Sequence, residues 1–549
     1  MKNHHLPFYA IGLILIIGFM GPFLSAQQAP QPQQPPEKKT PAQVQAPSPS
    51  SPAQFAQAIP PAPPDKSYSV THHMITIGGK PVAYTATAGT LTVSKPDEKP
   101  GARMYFTAYT VDGVRDLTVR PITFVFNGGP GSSSVWLHLG GLGPRRVLMT
   151  DEGFAVKPPF GLVDSENSLL DVTDMVFIDP VMTGYSRPLT GENKTQFTGV
   201  GEDVASVGEF IRLFVTRFER WASPKFILGE SYGTTRAAAL SGFLQGRTIG
   251  MYLNGIVLVS SVLDFQTLDF VPGSNLSFVL FLPHYSATAW YHKKLAPALQ
   301  AQSLKEVVAA AREFASGEYS AALFQGNRLS KEETVKVADK LAAFTGLSRQ
   351  YVLESNLRVR HERFVKELLR TDFETVGRLD SRFRGRDADA AGETYESDPA
   401  SAAIMGAFST MLNNYLRTEL QYKEDLPYAV YGNVYPWNFL SSPDGAAGPG
   451  QGMRRGRSSS MNLNVAETLQ RAMRDNPNLQ VFVANGYYDG ATPFYATEYT
   501  FSQIGLNREF EGRVRFGYYE AGHMMYIHKP SLARLKADLA EFIKKAAVK

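Results

Sequence analysis

The sequence predicts the α/β class, a mostly parallel sheet flanked by helices, with a helical cap inserted late in the chain. Three observations carry that expectation. The short apolar runs Ile122-Thr-Phe-Val-Phe126, Met175-Val-Phe-Ile178, Phe226-Ile-Leu228, Ile256-Val-Leu-Val259 and Val481-Phe-Val-Ala484 alternate in places with helical stretches, notably 202–220 and 234–244. Strands that are apolar on both faces are the ones a parallel sheet buries under helices. One of them runs straight into Gly229-Glu-Ser-Tyr-Gly233 and then a helix. Finally, the stretch 263–460 breaks the alternation with helices at 303–315 and 330–344. Each of these opens on a Ser-x-x-Glu capping box, Ser303 with Glu306 and Ser330 with Glu333.

Taken in order, residues 1–26 read as an export signal. Lys2 precedes an apolar run at 8–24, and Leu24-Ser-Ala26 offers a small-residue cleavage site. Left uncleaved, the same run is a membrane anchor; no other run is long and apolar enough to span a bilayer. Residues 27–65 are Pro, Gln, Ala and Ser with few large apolar side chains, too little to offset ordering entropy, and read as a disordered tether. From 67 to 109 apolar and polar residues alternate around a Gly78-Gly79 turn, the pattern of an antiparallel sheet edge. The neighbours His72 and His73 point to opposite sides of such a strand, so they read as structural rather than metal-binding. The sheet core is expected at 66–262 and 461–549, with the cap at 263–460 between its two parts. Within the cap, 441–460 is a Gly-Pro-Ser loop carrying Arg454, Arg455 and Arg457, read as an exposed segment. Residues 530–545 form an amphipathic closing helix.

Composition narrows the class further. The 549 residues include 43% hydrophobic residues, with 34 Phe and 25 Tyr, which allows a large core. Fifty-five basic against 51 acidic residues, a net charge of +4, argue against a broad nucleic-acid surface. There is no cysteine, so folding rests on packing without disulfides.

The chemistry centres on the G-x-S-x-G elbow at 229–233. Glycines two positions either side of Ser231 let the chain bend sharply and present the serine oxygen at the strand's end. A serine hydroxyl is a poor nucleophile until a base takes its proton, and that base needs an orienting group. Asp489, just past the strand at 481–484, and His523, past a strand at 513–519, stand at the same sheet edge. The order Ser, Asp, His is that of α/β-hydrolases. The expected catalytic residues are therefore Ser231, Asp489 and His523. Asn127-Gly-Gly-Pro-Gly131, ending the strand at 122–126, offers an amide for the oxyanion of the reaction intermediate, and the amide of Tyr232 offers another.

These blocks together resemble a known family. Asn127-Gly-Gly-Pro-Gly-Ser-Ser-Ser134 with Gly143-Pro144, Asp179-Pro180 with Gly184-Tyr-Ser186, Gly229-Glu-Ser-Tyr-Gly233, Asp489 with Pro493, and Ala521-Gly-His-Met524 are similar in kind and order to the signatures of serine carboxypeptidases, peptidase family S10. The resemblance, to an exported member of bacterial type, implies an α/β-hydrolase fold and removal of single residues from peptide C-termini. It implies Ser231, Asp489 and His523 as the triad and the amides of Gly129 and Tyr232 as the oxyanion hole. It also implies that Asn127 and Glu230 bind the terminal carboxylate, Glu230 as a proton donor, which favours acidic pH. The implied partners are peptide or protein C-termini, with no nucleic acid, no membrane beyond the N-terminal anchor, and no metal or organic cofactor.

Three positions depart from that pattern. Gly141 stands where the family has a second Glu, Val125 where it has Trp, and Ser132 where it has Cys. The first two remove partners from the carboxylate site; Arg145 and Arg146 either supply compensating charge or simply face water. The altered site permits an esterase or acyltransferase on the same fold; a non-catalytic binding protein that kept the hydrolase fold is the other alternative, against which the three intact triad positions speak.

Overall fold

The structure, a computed structural model, describes residues 68–439, 463–505, 510 and 512–548. The expected export signal, the tether and the loop with Arg454, Arg455 and Arg457 lie outside the described residues. Three antiparallel strands come first: β1 (Ser69–Ile77), β2 (Lys80–Ser94) and β3 (Pro100–Val111). Gly78 and Gly79, both at positive φ, close the first hairpin between Ile77 and Lys80, the backbone that a two-residue turn demands. His72 and His73 are held by Thr85 and Thr71.

Six parallel strands follow: β4 (Ile122–Phe126), β5 (Asp174–Ile178), β6 (Lys225–Ser231), β7 (Gly255–Ser261), β8 (Gln480–Gly486) and β9 (Val514–Tyr519). They lie in the order β1-β2-β3-β5-β4-β6-β7-β8-β9, with β3 antiparallel to β5 and every later pair parallel. Alternate side chains serve two separate layers. On β4, Val125 belongs to one apolar cluster and Phe124 and Phe126 to the other. That two-sided burial is why these strands read as continuous apolar runs.

Helices α1 (Val200–Arg217) and α2 (Tyr232–Gln245) cover one face through Val204, Phe210, Phe214 and Leu240. The opposite face is covered by α4 (Pro399–Thr418) and α5 (Lys529–Ala547), which contribute Phe408, Leu412, Leu535, Leu539 and Phe542. α1 ends three residues earlier than the sequence predicts. Glu219 turns the chain at positive φ, and Arg220 folds inward onto Asp174 at 2.6 Å. Between β7 and α4, the chain builds a third apolar cluster around α3 (Leu276–Tyr291), packed with Leu304–Phe314, Lys331–Thr345 and His361–Glu367. Both capping boxes form, with Ser303 and Ser330 accepting from the amides of Glu306 and Glu333. Sequence periodicity gave no sign of α3, whose interior holds Pro283 and whose residues are apolar almost all round.

This order is that of an α/β-hydrolase. Parallel β4, β6, β8 and β9 all end at one edge, where Asn127, Ser231, Asp489 and His523 follow or close them.

Candidate functional site

Ser231 ends β6 and directly precedes α2, with φ 59° and ψ −131°. That is a costly backbone for a residue with a side chain, and it persists only where the surroundings hold it. They do so by contact too tight for side chains. A Cβ on Gly229 would come within 2.1 Å of the Gly233 carbonyl oxygen, and one on Gly128 within 2.4 Å of the Tyr232 nitrogen. The Gly-rich loop therefore lies against the elbow backbone, with Gly128 packed on the Tyr232 amide. Tyr232 opens α2, so its amide has no acceptor within the helix. Arg236 on α2 locks the two pieces together: buried, it donates to the Asn127 carbonyl and to Asp203, both at 2.7 Å.

His523 Nδ1 lies 2.8 Å from Asp489 Oδ2. Asp489 is fully buried and also accepts from the amides of Ala491 (2.8 Å) and Thr492 (3.0 Å) and from the Thr492 hydroxyl (2.7 Å). Burial pushes its pKa up, but the His523 charge and these hydrogen bonds outweigh burial and hold the carboxyl below its usual value. The imidazole shifts the other way. Burial lowers it, yet Asp489 and then Glu230 raise it above 6.5 overall. Among the described residues, no hydrogen bond joins the Ser231 hydroxyl to His523; both line one cavity. Bonds of this kind commonly tighten only when substrate is bound.

Glu230 is buried beside the nucleophile. Asn127 Nδ2 and the Tyr526 hydroxyl (2.5 Å) both donate to its Oε2, and its Oε1 lies 3.8 Å from His523 Nε2. Asn127 is oriented by the Leu137 amide, which donates to its Oδ1. Burial is the largest influence on Glu230 and raises its pKa to about 7, against the opposing pull of His523 and the two donors.

The missing second Glu has a steric reason. Gly141 sits at φ 132°, and a Cβ there would meet Leu532 at 2.6 Å, while one on Gly140 would meet the Tyr526 ring at 2.3 Å. Gly140 makes room for the Tyr526 ring, whose hydroxyl lies beside Glu230. Sequence reasoning missed Tyr526; Gly140, whose missing side chain admits the ring, was the signal. The compensating-charge reading of Arg145 and Arg146 is corrected. Arg145 is engaged by Asp164 (2.5 Å) and Glu419 (3.0 Å), and neither arginine lines the cavity at Ser231.

A second group of residues was also missed. The segment from Arg378 to Arg382 is stitched to the loops that carry Asp489 and His523. The Gly490 amide donates to the Arg378 carbonyl (3.0 Å), the His523 amide to Leu379 (2.7 Å), and the Gly522 amide to the Asp380 carboxylate (3.0 Å). Ser381 donates its amide to the Tyr488 carbonyl at 2.9 Å. Asp380 is itself clamped by Arg382. No local motif marks this segment, because every partner is distant in sequence.

The cavity at Ser231 measures about 280 Å³ and is lined by Asn127, Gly129, Glu230, Ser231, Arg378 and His523 among others. A larger cleft, about 540 Å³, lies by the opposite ends of the strands near Pro224, Asn254 and Gln480, and holds none of the candidate residues. Ligands of open α/β sheets bind at the carboxyl ends of the strands, which favours the smaller cavity. Among the described residues, no cluster of three or more His, Cys, Asp or Glu is placed to hold a metal ion.

Fold and site together define a hydrolase-type protein with a candidate Ser-His-Asp constellation. Comparison with known proteins sharpens that class. Over residues 78–323 the chain matches the sequence profile of the serine carboxypeptidase family, Peptidase S10. It is similar to the pheromone-processing carboxypeptidase KEX1 of Yarrowia lipolytica, 29% identical over 206 residues, which cover 37% of this chain and 31% of that protein. It is also similar to a carboxypeptidase Y homolog of Arthroderma benhamiae, 32% identical over 138 residues, 25% of each chain. The chain thus spans about a third or less of the length of these curated relatives. Among solved structures, the prohormone-processing carboxypeptidase Kex1 of Saccharomyces cerevisiae superposes with a TM-score of 0.48 at 14% identity, covering 83% of this chain and 91% of that one. The family match contains Asn127, Gly129, Glu230, Ser231 and Tyr232 and ends before Asp489 and His523.

Proposed function

We propose that the protein is a serine carboxypeptidase that hydrolyses C-terminal peptide bonds through an acyl-enzyme. The observation that carries this reading is His523, bonded to the buried Asp489, sharing one cavity with the strained Ser231 and the buried Asn127–Glu230 pair. His523 Nε2 takes the Ser231 proton as the oxygen attacks the scissile carbonyl. The tetrahedral oxyanion accepts from the amides of Gly129 and Tyr232. The carbon–nitrogen bond then breaks, and His523 returns the proton to the departing amine. Water repeats the sequence on the acyl-enzyme, giving the shortened peptide its new carboxyl group and restoring the serine. Asp489 stays ionised and holds the imidazole in the required tautomer.

The ordinary substrates are peptide or protein C-termini. The Met1 to Ala26 pattern supports export to the periplasm or beyond, and among the described residues no helix is long and apolar enough to cross a membrane. Esterase or acyltransferase action is the second reading, favoured by the absence of a carboxyl partner at Gly141. A blocked dipeptide assayed as free acid, amide and ester across pH separates them. Preference for the free acid is expected; turnover of the ester alone overturns the peptidase reading.

A further inference from the structure

The cavity at Ser231 holds a cation that neither the triad nor the Asn127–Glu230 pair accounts for. Arg378 lines it, and its side chain is exposed there. Among the described residues, its guanidinium forms neither a hydrogen bond nor an ion pair. Its backbone, by contrast, is fixed at both ends. The Arg378 amide donates to Asp398 Oδ1 at 3.0 Å, and its carbonyl accepts from Gly490, the neighbour of Asp489. The acid next to it does not neutralise it directly. Both Asp398 oxygens are taken by the amides of Arg378, Leu379 and Ala400 as Asp398 caps α4.

We infer, resting on the carboxypeptidase reading above, that Arg378 binds the free α-carboxylate of the peptide substrate through a charge-assisted hydrogen-bonded pair. A planar guanidinium matches a carboxylate with two parallel bonds. The rigid backbone beneath Arg378 lowers the entropy lost in forming them. Arg378 also fills a need created by Gly141, since Glu230 donates a proton to a carboxylate only while uncharged. An unpaired cation here has a cost, because the Arg378 charge disfavours the imidazolium of His523. A bound carboxylate cancels that charge and makes His523 the stronger base once the correct substrate is in place.

The test uses the full chain and its Arg378→Met and Arg378→Lys variants, with active sites counted by a fluorophosphonate. A blocked dipeptide is assayed as free acid and as amide, together with the same pair ending in Asp. Arg378→Met is expected to cut the free-acid over amide preference about 10- to 100-fold, the range for a charged hydrogen bond. The loss should fall mainly in KM, and Arg378→Lys should recover part of it. The acid limb of kcat/KM should also move to higher pH in Arg378→Met, as His523 loses a repelling neighbour. Parallel decline of acid and amide overturns the proposal, as does selective loss of substrates ending in Asp whether amidated or not. If Arg378→Met does not fold, the unaltered enzyme decides. On the alkaline side of the Glu230 titration, N-acetylphenylalanine should inhibit more strongly than its amide, and equal inhibition overturns the proposal. An unaltered enzyme that turns over esters alone removes the carboxypeptidase reading itself, a result separate from every variant outcome.

Discussion

Two buried carboxyl groups flank the imidazole of His523, and they are held in opposite states. On the Nδ1 side, Asp489 accepts from two amides, one hydroxyl and the imidazole itself, and stays below its usual pKa. On the Nε2 side, Glu230 accepts from one amide side chain and one phenol and rises to about 7. Burial pushes both up; the supply of donors and the distance to the imidazole, 2.8 Å against 3.8 Å, decide the difference. The lesson is that two buried carboxyl groups beside one imidazole can shift in opposite directions, provided the hydrogen bonds around each are unequal.

That comparison breaks most visibly at Asp489. Asp489→Asn should lower kcat about 10³- to 10⁴-fold, because the amide favours the wrong imidazole tautomer; steady-state kinetics with sites counted by a fluorophosphonate measure it. Thr492→Val removes one of the four donors and should cost about tenfold in kcat, with the acid limb displaced as Asp489 becomes a weaker partner. Glu230→Gln sharpens the other side. His523 is raised partly by Glu230, so the acid limb of kcat/KM should move down by up to about one pH unit. Above about pH 7 the ionised Glu230 repels a substrate carboxylate, so the same variant should extend free-acid cleavage upward. A profile unchanged on both limbs removes Glu230 from substrate recognition. The smallest effect is expected from Tyr526→Phe. Losing a donor to Glu230 raises its pKa by less than about one unit, visible as a small shift of the alkaline limb.

What could be read in advance follows the same division between local and distant causes. The elbow at 229–233, the Gly-rich loop and the strands that feed them were legible because each is written in adjacent residues: glycines where backbones touch, and apolar runs where strands are buried. The hairpin at Gly78-Gly79 and the two capping boxes were legible for the same reason. The residues around Glu230 were not. Tyr526 acts only because Gly140 lets its ring in, and Arg378 lines the cavity only because Asp398, Gly490 and the His523 loop grip its segment. The arginines that looked suitable by proximity in sequence, Arg145 and Arg146, lie outside the cavity at Ser231. α3 escaped notice because a helix buried on all sides has no polar face to mark its period.

The central claim is that His523, oriented by Asp489, makes the Ser231 oxygen a nucleophile. Its most direct measurement is mass mapping of a fluorophosphonate adduct, run in parallel on Ser231→Ala. The account predicts one adduct per chain, on Ser231, with peptide cleavage lost in step with labelling and no adduct in the variant. An adduct on another residue, or cleavage that survives in Ser231→Ala, would contradict it.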